Sequence, residues 1–247
     1  MIKNRRAFIV GIKSTTLSKK EKKFLKKYKP WGVILFSRNV KEFKQIKKLI
    51  SDIKLIFKDK KYPILIDQEG GRVNRLNKLI ESSIFTAEYF GNLYKKNKYK
   101  FYNYYKIYIN QISYLLKELG ININTVPVLD VKSSKSSNII GDRSYSSIPK
   151  NVSKIGDFCI EEFKKSGVAT VIKHIPGHGL AKVDSHKKTP IVKYKSKYLF
   201  KNDFSTFKKK NSLFAMTAHI IYNDIDPINT ATHSAKIIKL IRNKIVF

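Results

Sequence analysis

A chain of 247 residues with 42% apolar side chains can bury one substantial core, and its single cysteine excludes a disulfide framework. The formal charge of +33 comes from 51 Lys+Arg against 18 Asp+Glu, but the lysines run through the whole sequence beside many isoleucines, asparagines, tyrosines and phenylalanines, a bias of A/T-rich coding. Without an RNA-binding or helix-turn-helix signature the charge predicts incidental, salt-dependent binding to polyanions and no functional nucleic-acid partner, and lysines break every apolar run before the roughly 18 residues that a membrane span needs.

From the amino end, the apolar run Ala7 to Ile12 is too short for a secretory signal and reads as a first strand, so a cytoplasmic protein is expected. Ser18 followed by Glu21 is a capping box that opens a helix, because each side chain satisfies a backbone donor near the other. A second strand spans Gly32 to Phe36. Phe43, Ile46, Leu49, Ile50, Ile53 and Phe57 then recur at helical spacing and predict an amphipathic helix. The third strand, Ile64 to Asp67, runs into Gln68, Glu69, Gly70, Gly71 and Arg72. A tyrosine-rich helix, read as core and interface packing, covers Phe101 to Leu119, and a fourth strand from Ile123 to Leu129 ends at Asp130. The next helix, Val152 to Lys165, carries Cys159 as a small buried hydrophobe. A fifth strand, Ala169 to Ile172, leads into a histidine-rich loop. Beyond it come a helix from Lys197 to Lys208, a strand from Leu213 to Ala218 and a helix from Ser234 to Lys244, with Lys244 to Phe247 read as the start of a seventh strand.

Strand and helix alternating through one domain, residues 1–247, predict an α/β (β/α)8 TIM-type barrel that is incomplete in this chain, with most of strand seven and all of strand eight lacking. An open doubly wound sheet is the alternative. It ranks second because no glycine-rich phosphate fingerprint follows the first strand.

The notable polar residues gather after strands, where barrels place their sites: Asp67 to Arg75 after the third, Asp130, Asp142 and Arg143 after the fourth, Lys173 to His186 after the fifth, and His219, Asp224 and Asp226 after the sixth. Each has a plainer reading. The IDQEGGR turn could be a glycine-mediated strand-to-helix connection, Asp142 and Arg143 a surface ion pair, His219 a satisfied core histidine and His233 a solvent-facing residue at a helix entry. The segment KHIPGHGLAKVDSH, Lys173 to His186, cannot be a continuous helix, because Pro176, Gly177 and Gly179 break it. That breaks the helical pairing of His174 with His178 that zinc would use, although His219 and Asp67 could complete a site from other strands. The preferred chemistry couples Asp184 to His186, a carboxylate that orients an imidazole for proton transfer, with no metal and no cofactor.

These residues resemble those of glycoside hydrolase family 3 β-N-acetylhexosaminidases of bacterial cell-wall recycling. The motifs are KHIPGHG followed by DSH, GVILFSRN at Gly32 to Asn39, IDQEGGRVNRL at Ile66 to Leu76, VPVLDV at Val126 to Val131, GDRSY at Gly141 to Tyr145 and MTAHIIY at Met216 to Tyr222. They occur in the family's order from about Trp31 onward. The resemblance implies a (β/α)8 barrel that removes terminal non-reducing β-linked N-acetylglucosamine with retention, from N-acetylglucosamine-containing muropeptides. It implies that Asp67, Arg75, Arg143, Lys173 and His174 hold the sugar, that His186 with Asp184 is the general acid/base, and that His178 positions the loop. The family's nucleophile, an aspartate at the end of strand seven, is expected beyond Phe247, so the 247 residues are expected to be a fragment that lacks turnover. A saccharide-binding remnant and a barrel metallohydrolase are the alternatives.

Overall fold

The structure is a computed structural model and describes residues 4–133, 139–183 and 188–245. Its centre is a parallel sheet of six strands: β1 (Arg6–Gly11), β2 (Pro30–Leu35), β3 (Ile64–Ile66), β4 (Ile123–Asn124), β5 (Ala169–Ile175) and β7 (Phe214–Thr217), hydrogen-bonded in that order. A two-residue strand β6 (Ile191–Val192) pairs apart from it with β8 (Ile221–Tyr222), a small sheet that the sequence did not announce. The order follows the chain without reversal, so among the described residues the sheet has no switch point of the doubly wound kind. The strands form part of a barrel, left open between β1 and β7 among the described residues.

Alternation along the strands separates two cores. On β3, Ile64 and Ile66 join the large core beneath the helices, whereas Leu65 joins Ile123 and Val171 in a smaller cluster flanked by Trp31, Ile34, Ala169 and Phe214. The pairings of Leu65 with Ile34 and Ile123, and of Val171 with Phe214, place that second set on the barrel's inner face.

The helices cover the outer face. α1 (Lys19–Tyr28) begins at Ser18, whose side chain accepts the Glu21 N–H while Glu21 accepts the Ser18 N–H at 2.9 Å, as the capping box predicts. α2 (Phe43–Phe57) buries Ile46, Leu49, Ile50 and Ile53, each contributing about 1.5–3 kcal/mol of hydrophobic stabilisation. α3 (Ala87–Lys96) was not anticipated. Thr86 caps its start, and Asn97 both ends it and caps α4 (Lys98–Leu119). The tyrosines of α4 only partly fit the core reading, since Tyr105 is buried but Tyr99, Tyr104 and Tyr114 are exposed. α5 (Pro149–Lys165) buries Cys159, and burial pushes that thiol up to about 12, so it stays protonated and inert.

Several boundaries differ from expectation. β4 is short because Pro127 has no N–H for the ladder, and the chain continues as single contacts, with the Leu129 N–H donating to Lys173 O at 2.8 Å. β5 is longer than expected, so Lys173 and His174 sit on the strand itself, joined by a cis peptide. The expected helix from Lys197 to Lys208 divides into α6 (Ser196–Lys201) and a 3-10 turn (Asp203–Phe207), where the Asn202, Ser205 and Thr206 side chains bond nearby carbonyls and compete with the helix. α7 (Ala235–Leu240) runs on into a π turn (Ile241–Ile245) where the expected strand would begin at Lys244, and the remainder of that expected strand, residues 246–247, lies outside the described residues. Ile237, Ile241 and Ile245 are all buried, so the apolar residues there follow a helical stripe. Among the described residues no helix is long and apolar enough to cross a membrane.

Candidate active site

The turn after β3 is built first, because it carries three of the charged groups. Gln68 is buried and knots it: its N–H donates to Asn124 Oδ1 at 3.0 Å, and its side-chain carbonyl accepts the Arg75 and Leu76 N–H groups at 2.9 and 3.0 Å. Gly70 turns at φ +91°, and a Cβ there would meet the Phe85 carbonyl oxygen at 2.4 Å. The next residues close a Gly70–Val73 bridge, and a helix begins only at Ala87, so the segment is no simple strand-to-helix connection.

On this frame Asp67 becomes a hub. Thr125 donates to its Oδ1 at 2.6 Å, Arg75 Nη2 donates to its Oδ2 at 3.0 Å, and Lys173 Nζ bonds it directly. Burial alone would raise this carboxyl, but the Lys173 ammonium, Thr125 and Arg75 outweigh burial and hold it well below the usual carboxylate range. Lys173 also pairs with Glu69, and Glu69 receives Arg143 as a fork, with Nε at 2.8 Å and Nη2 at 2.7 Å. Asp142 pairs with Arg72 at 2.8 Å, not with Arg143 as the surface-pair reading had it. Lys173 is 1% exposed, whereas Asp67, Arg75 and His174 keep part of their surface open.

A second carboxylate organises the histidines. Asp130, fully buried, accepts the N–H groups of His174 and His178 at 3.2 and 2.7 Å, and its Oδ2 lies 2.7 Å from His174 Nδ1. Burial opposes its charge, but His174 and His178 prevail and its carboxyl lies below the ordinary value. An ionised carboxylate only accepts, so Nδ1 of His174 carries the hydrogen and Nε2 is the nitrogen a ligand can meet. His178 is buried, its ring 5.4 Å from that of His174, and burial pushes its imidazole below the ordinary value.

Asp67, Arg75, Arg143, Lys173, His174 and His178 therefore converge at the carboxyl ends of β3 to β5. Asp184 and His186 lie outside the described residues. His219 is exposed, not a core histidine, and its Nδ1 lies 3.2 Å from Thr232 Oγ1 with the His233 ring 5.2 Å away. Among the described residues no group of three or more His, Cys, Asp or Glu side chains is placed to hold a metal. Sequence reasoning left Glu69 and Asp130 without a role. Each stood in a motif it had singled out, but the side chains facing them, Lys173 and Arg143 for Glu69 and His174 for Asp130, come from distant segments.

Residues 6–247 match the glycosyl hydrolase family 3 N-terminal domain. The chain belongs to this family. It is 34% identical to the Beta-hexosaminidase of Haemophilus ducreyi, over 89% of this chain and 63% of that protein. It is 33% identical to the Beta-hexosaminidase A of Pseudoalteromonas piscicida, over 86% of this chain and 36% of that protein. The crystal structure of native NagZ from Neisseria gonorrhoeae superposes with a TM-score of 0.86 at 25% identity, over 98% of this chain and 71% of that one. The chain thus spans between about one third and two thirds of the length of these curated relatives.

Proposed function

We propose that these residues form the sugar-binding part of a retaining β-N-acetylhexosaminidase that releases terminal non-reducing N-acetylglucosamine from peptidoglycan fragments in the cytoplasm. The observation that carries this reading is the Asp67 hub. A carboxylate kept ionised by a buried ammonium, beside a guanidinium and an imidazole Nε2, offers acceptors and donors matched to adjacent sugar hydroxyls. Asp67, Arg75 and His174 contact the sugar, while Lys173 and Arg143 act on it through the carboxylates they hold. The names of the Haemophilus and Pseudoalteromonas relatives support the reaction class.

His186, oriented by Asp184, protonates the glycosidic oxygen and then activates water, while His178 positions the loop that carries them. The nucleophile is assigned to none of the described carboxylates of the site. Asp67 and Glu69 are paired with Lys173 and the two arginines, and Asp130 is buried against His174 and His178. A carboxylate so engaged is a poor attacker on an anomeric carbon. The described residues of the site are therefore assigned the binding of N-acetylglucosamine and, without a nucleophile among them, no turnover of a glycoside on their own.

The test pairs an aryl N-acetyl-β-glucosaminide assay with titration of free N-acetylglucosamine. Binding without release is expected. Release that His186→Ala abolishes would overturn the assignment of no turnover, and failure to bind the sugar would overturn the site.

A further inference from the structure

The loop that leaves β5 is gripped at its root between two buried carboxylates, and the site described above uses only one of them. Asp130 holds His174 and His178 from one side. From the other side comes Asp203, 2% exposed, at the start of the 3-10 turn after α6, and its Oδ1 accepts the Gly179 N–H at 3.1 Å. The contact leaves no slack. A Cβ on Gly177 would stand 2.5 Å from Asp203 Cβ, and one on Gly179 would stand 2.6 Å from Asp203 Oδ1 and 2.0 Å from the Val131 carbonyl oxygen. The Tyr222 hydroxyl donates to the Gly177 carbonyl, and Thr206 donates to both Leu129 O and Asp203 O, which ties the Asp203 turn to the segment carrying Asp130.

We propose that Asp203 is a positioning residue for the histidine loop: its carboxyl fastens the loop root at Gly177 and Gly179 to the turn after α6, and loosens that hold as it ionises. The groups that face it explain the second half. Asp130 stands behind the loop root and Tyr222 approaches from β8, while Lys132, Tyr194 and Tyr198 line a cleft of about 350 Å³ that Asp203 and Leu180 share. Burial first, and the charge of Asp130 second, push the Asp203 carboxyl up to about 7, and the N–H groups of Gly179 and of Asp203 itself offset this only in part.

The sign follows from linkage. With the root closed, Asp203 keeps its proton to about pH 7; with the root open to the adjoining cleft it is hydrated and titrates near the ordinary 3.8. The closed root binds more protons across that window, so opening becomes easier as pH rises from about 4 to about 7 and is independent of pH above that. In sequence the loop runs on to Asp184 and His186, the proposed acid/base pair, so the hold would also bear on proton transfer. That consequence rests on the hexosaminidase reading; the fastening does not.

The experiment is amide hydrogen exchange at Gly179, whose N–H the Asp203 carboxyl accepts, in the 247-residue chain, corrected for intrinsic rates, between about pH 5 and about pH 8. In the wild type, protection should fall at least about tenfold as pH rises through this window and then level off. Asp203→Asn, which keeps an acceptor and loses the proton, should hold the acid-side protection at every pH, and Asp203→Ala should lower protection throughout. A wild-type pH profile in Asp203→Asn, or wild-type protection in Asp203→Ala, would overturn the proposal. If Asp203→Ala does not fold, the isosteric Asn variant decides alone. N-acetylglucosamine titrated into the same samples separates the two readings: loss of sugar binding with the exchange pattern intact counts against the hexosaminidase alone.

Discussion

Glu69 neutralises two cations at once, the buried Lys173 and the largely buried Arg143. Glu69→Gln should therefore cost about 3–5 kcal/mol, because breaking a buried pair leaves charge uncompensated, and denaturant unfolding would show it as a lowered midpoint. A midpoint within error of wild type would mean that Asp67 alone suffices for Lys173. Asp67 and Asp130 both have depressed carboxyls, so the stability they add is present above their unfolded values and is lost as pH falls below about 4. The unfolding midpoint should fall on acidification from about pH 4 to about pH 2, and Asp67→Asn should flatten that limb; an unchanged slope would remove Asp67 from the account. Asp67, Arg75, Lys173 and His174 were legible because each stands in a short motif of glycines and charges. The roles of Glu69, Asp130 and Asp203 were not, because a side chain's partner across 44 or 74 residues is set by strand register, which the motifs do not encode.

At the level of elements, α3 lies flush on the segment after the 3-10 turn Gly141–Arg143: a Cβ at Gly91 would stand 1.6 Å from the Tyr145 carbonyl oxygen. Gly91→Ala must push the helix away, at a cost of about 1–3 kcal/mol, and should disturb the buried Tyr105–Tyr145 hydroxyl bond of 2.6 Å. Thermal unfolding checks this, and an unshifted melting temperature would show that α3 can slide without loss. What the sequence made visible at this scale was local. The Ser18–Glu21 box and the apolar stripe of α2 are complete within one helix, so the box and the four central residues of the stripe read correctly, while Phe43 at the start of α2 is exposed. The end of β4 at Pro127, the division after α6 and the helical stripe at Ile245 depend on competing local bonds or on burial against other elements, and there the reading moved or failed. The six-strand order emerged from the alternation alone, while the paired β6 and β8 were too short to leave a pattern.

For the whole molecule, a charge of +33 sits over a sheet whose flanking strands expose apolar side chains, including Ile9 on β1, Met216 on β7 and Leu213 beside it. Charge repulsion keeps such edges apart at low ionic strength, and added salt screens it. Light scattering should show self-association increasing with salt, while retention on a polyanion column should weaken over the same range; association that falls with salt would mean the contacts are ionic. The central claim is that the ends of β3 and β5 form a sugar site. Calorimetric titration of N-acetylglucosamine into the wild-type chain and into Asp67→Ala tests it most directly. Saturable binding to the wild type, weakened at least about tenfold in the variant, is the predicted result, since it removes a charged acceptor from the sugar. No binding to the wild type, or equal binding to both, would contradict it.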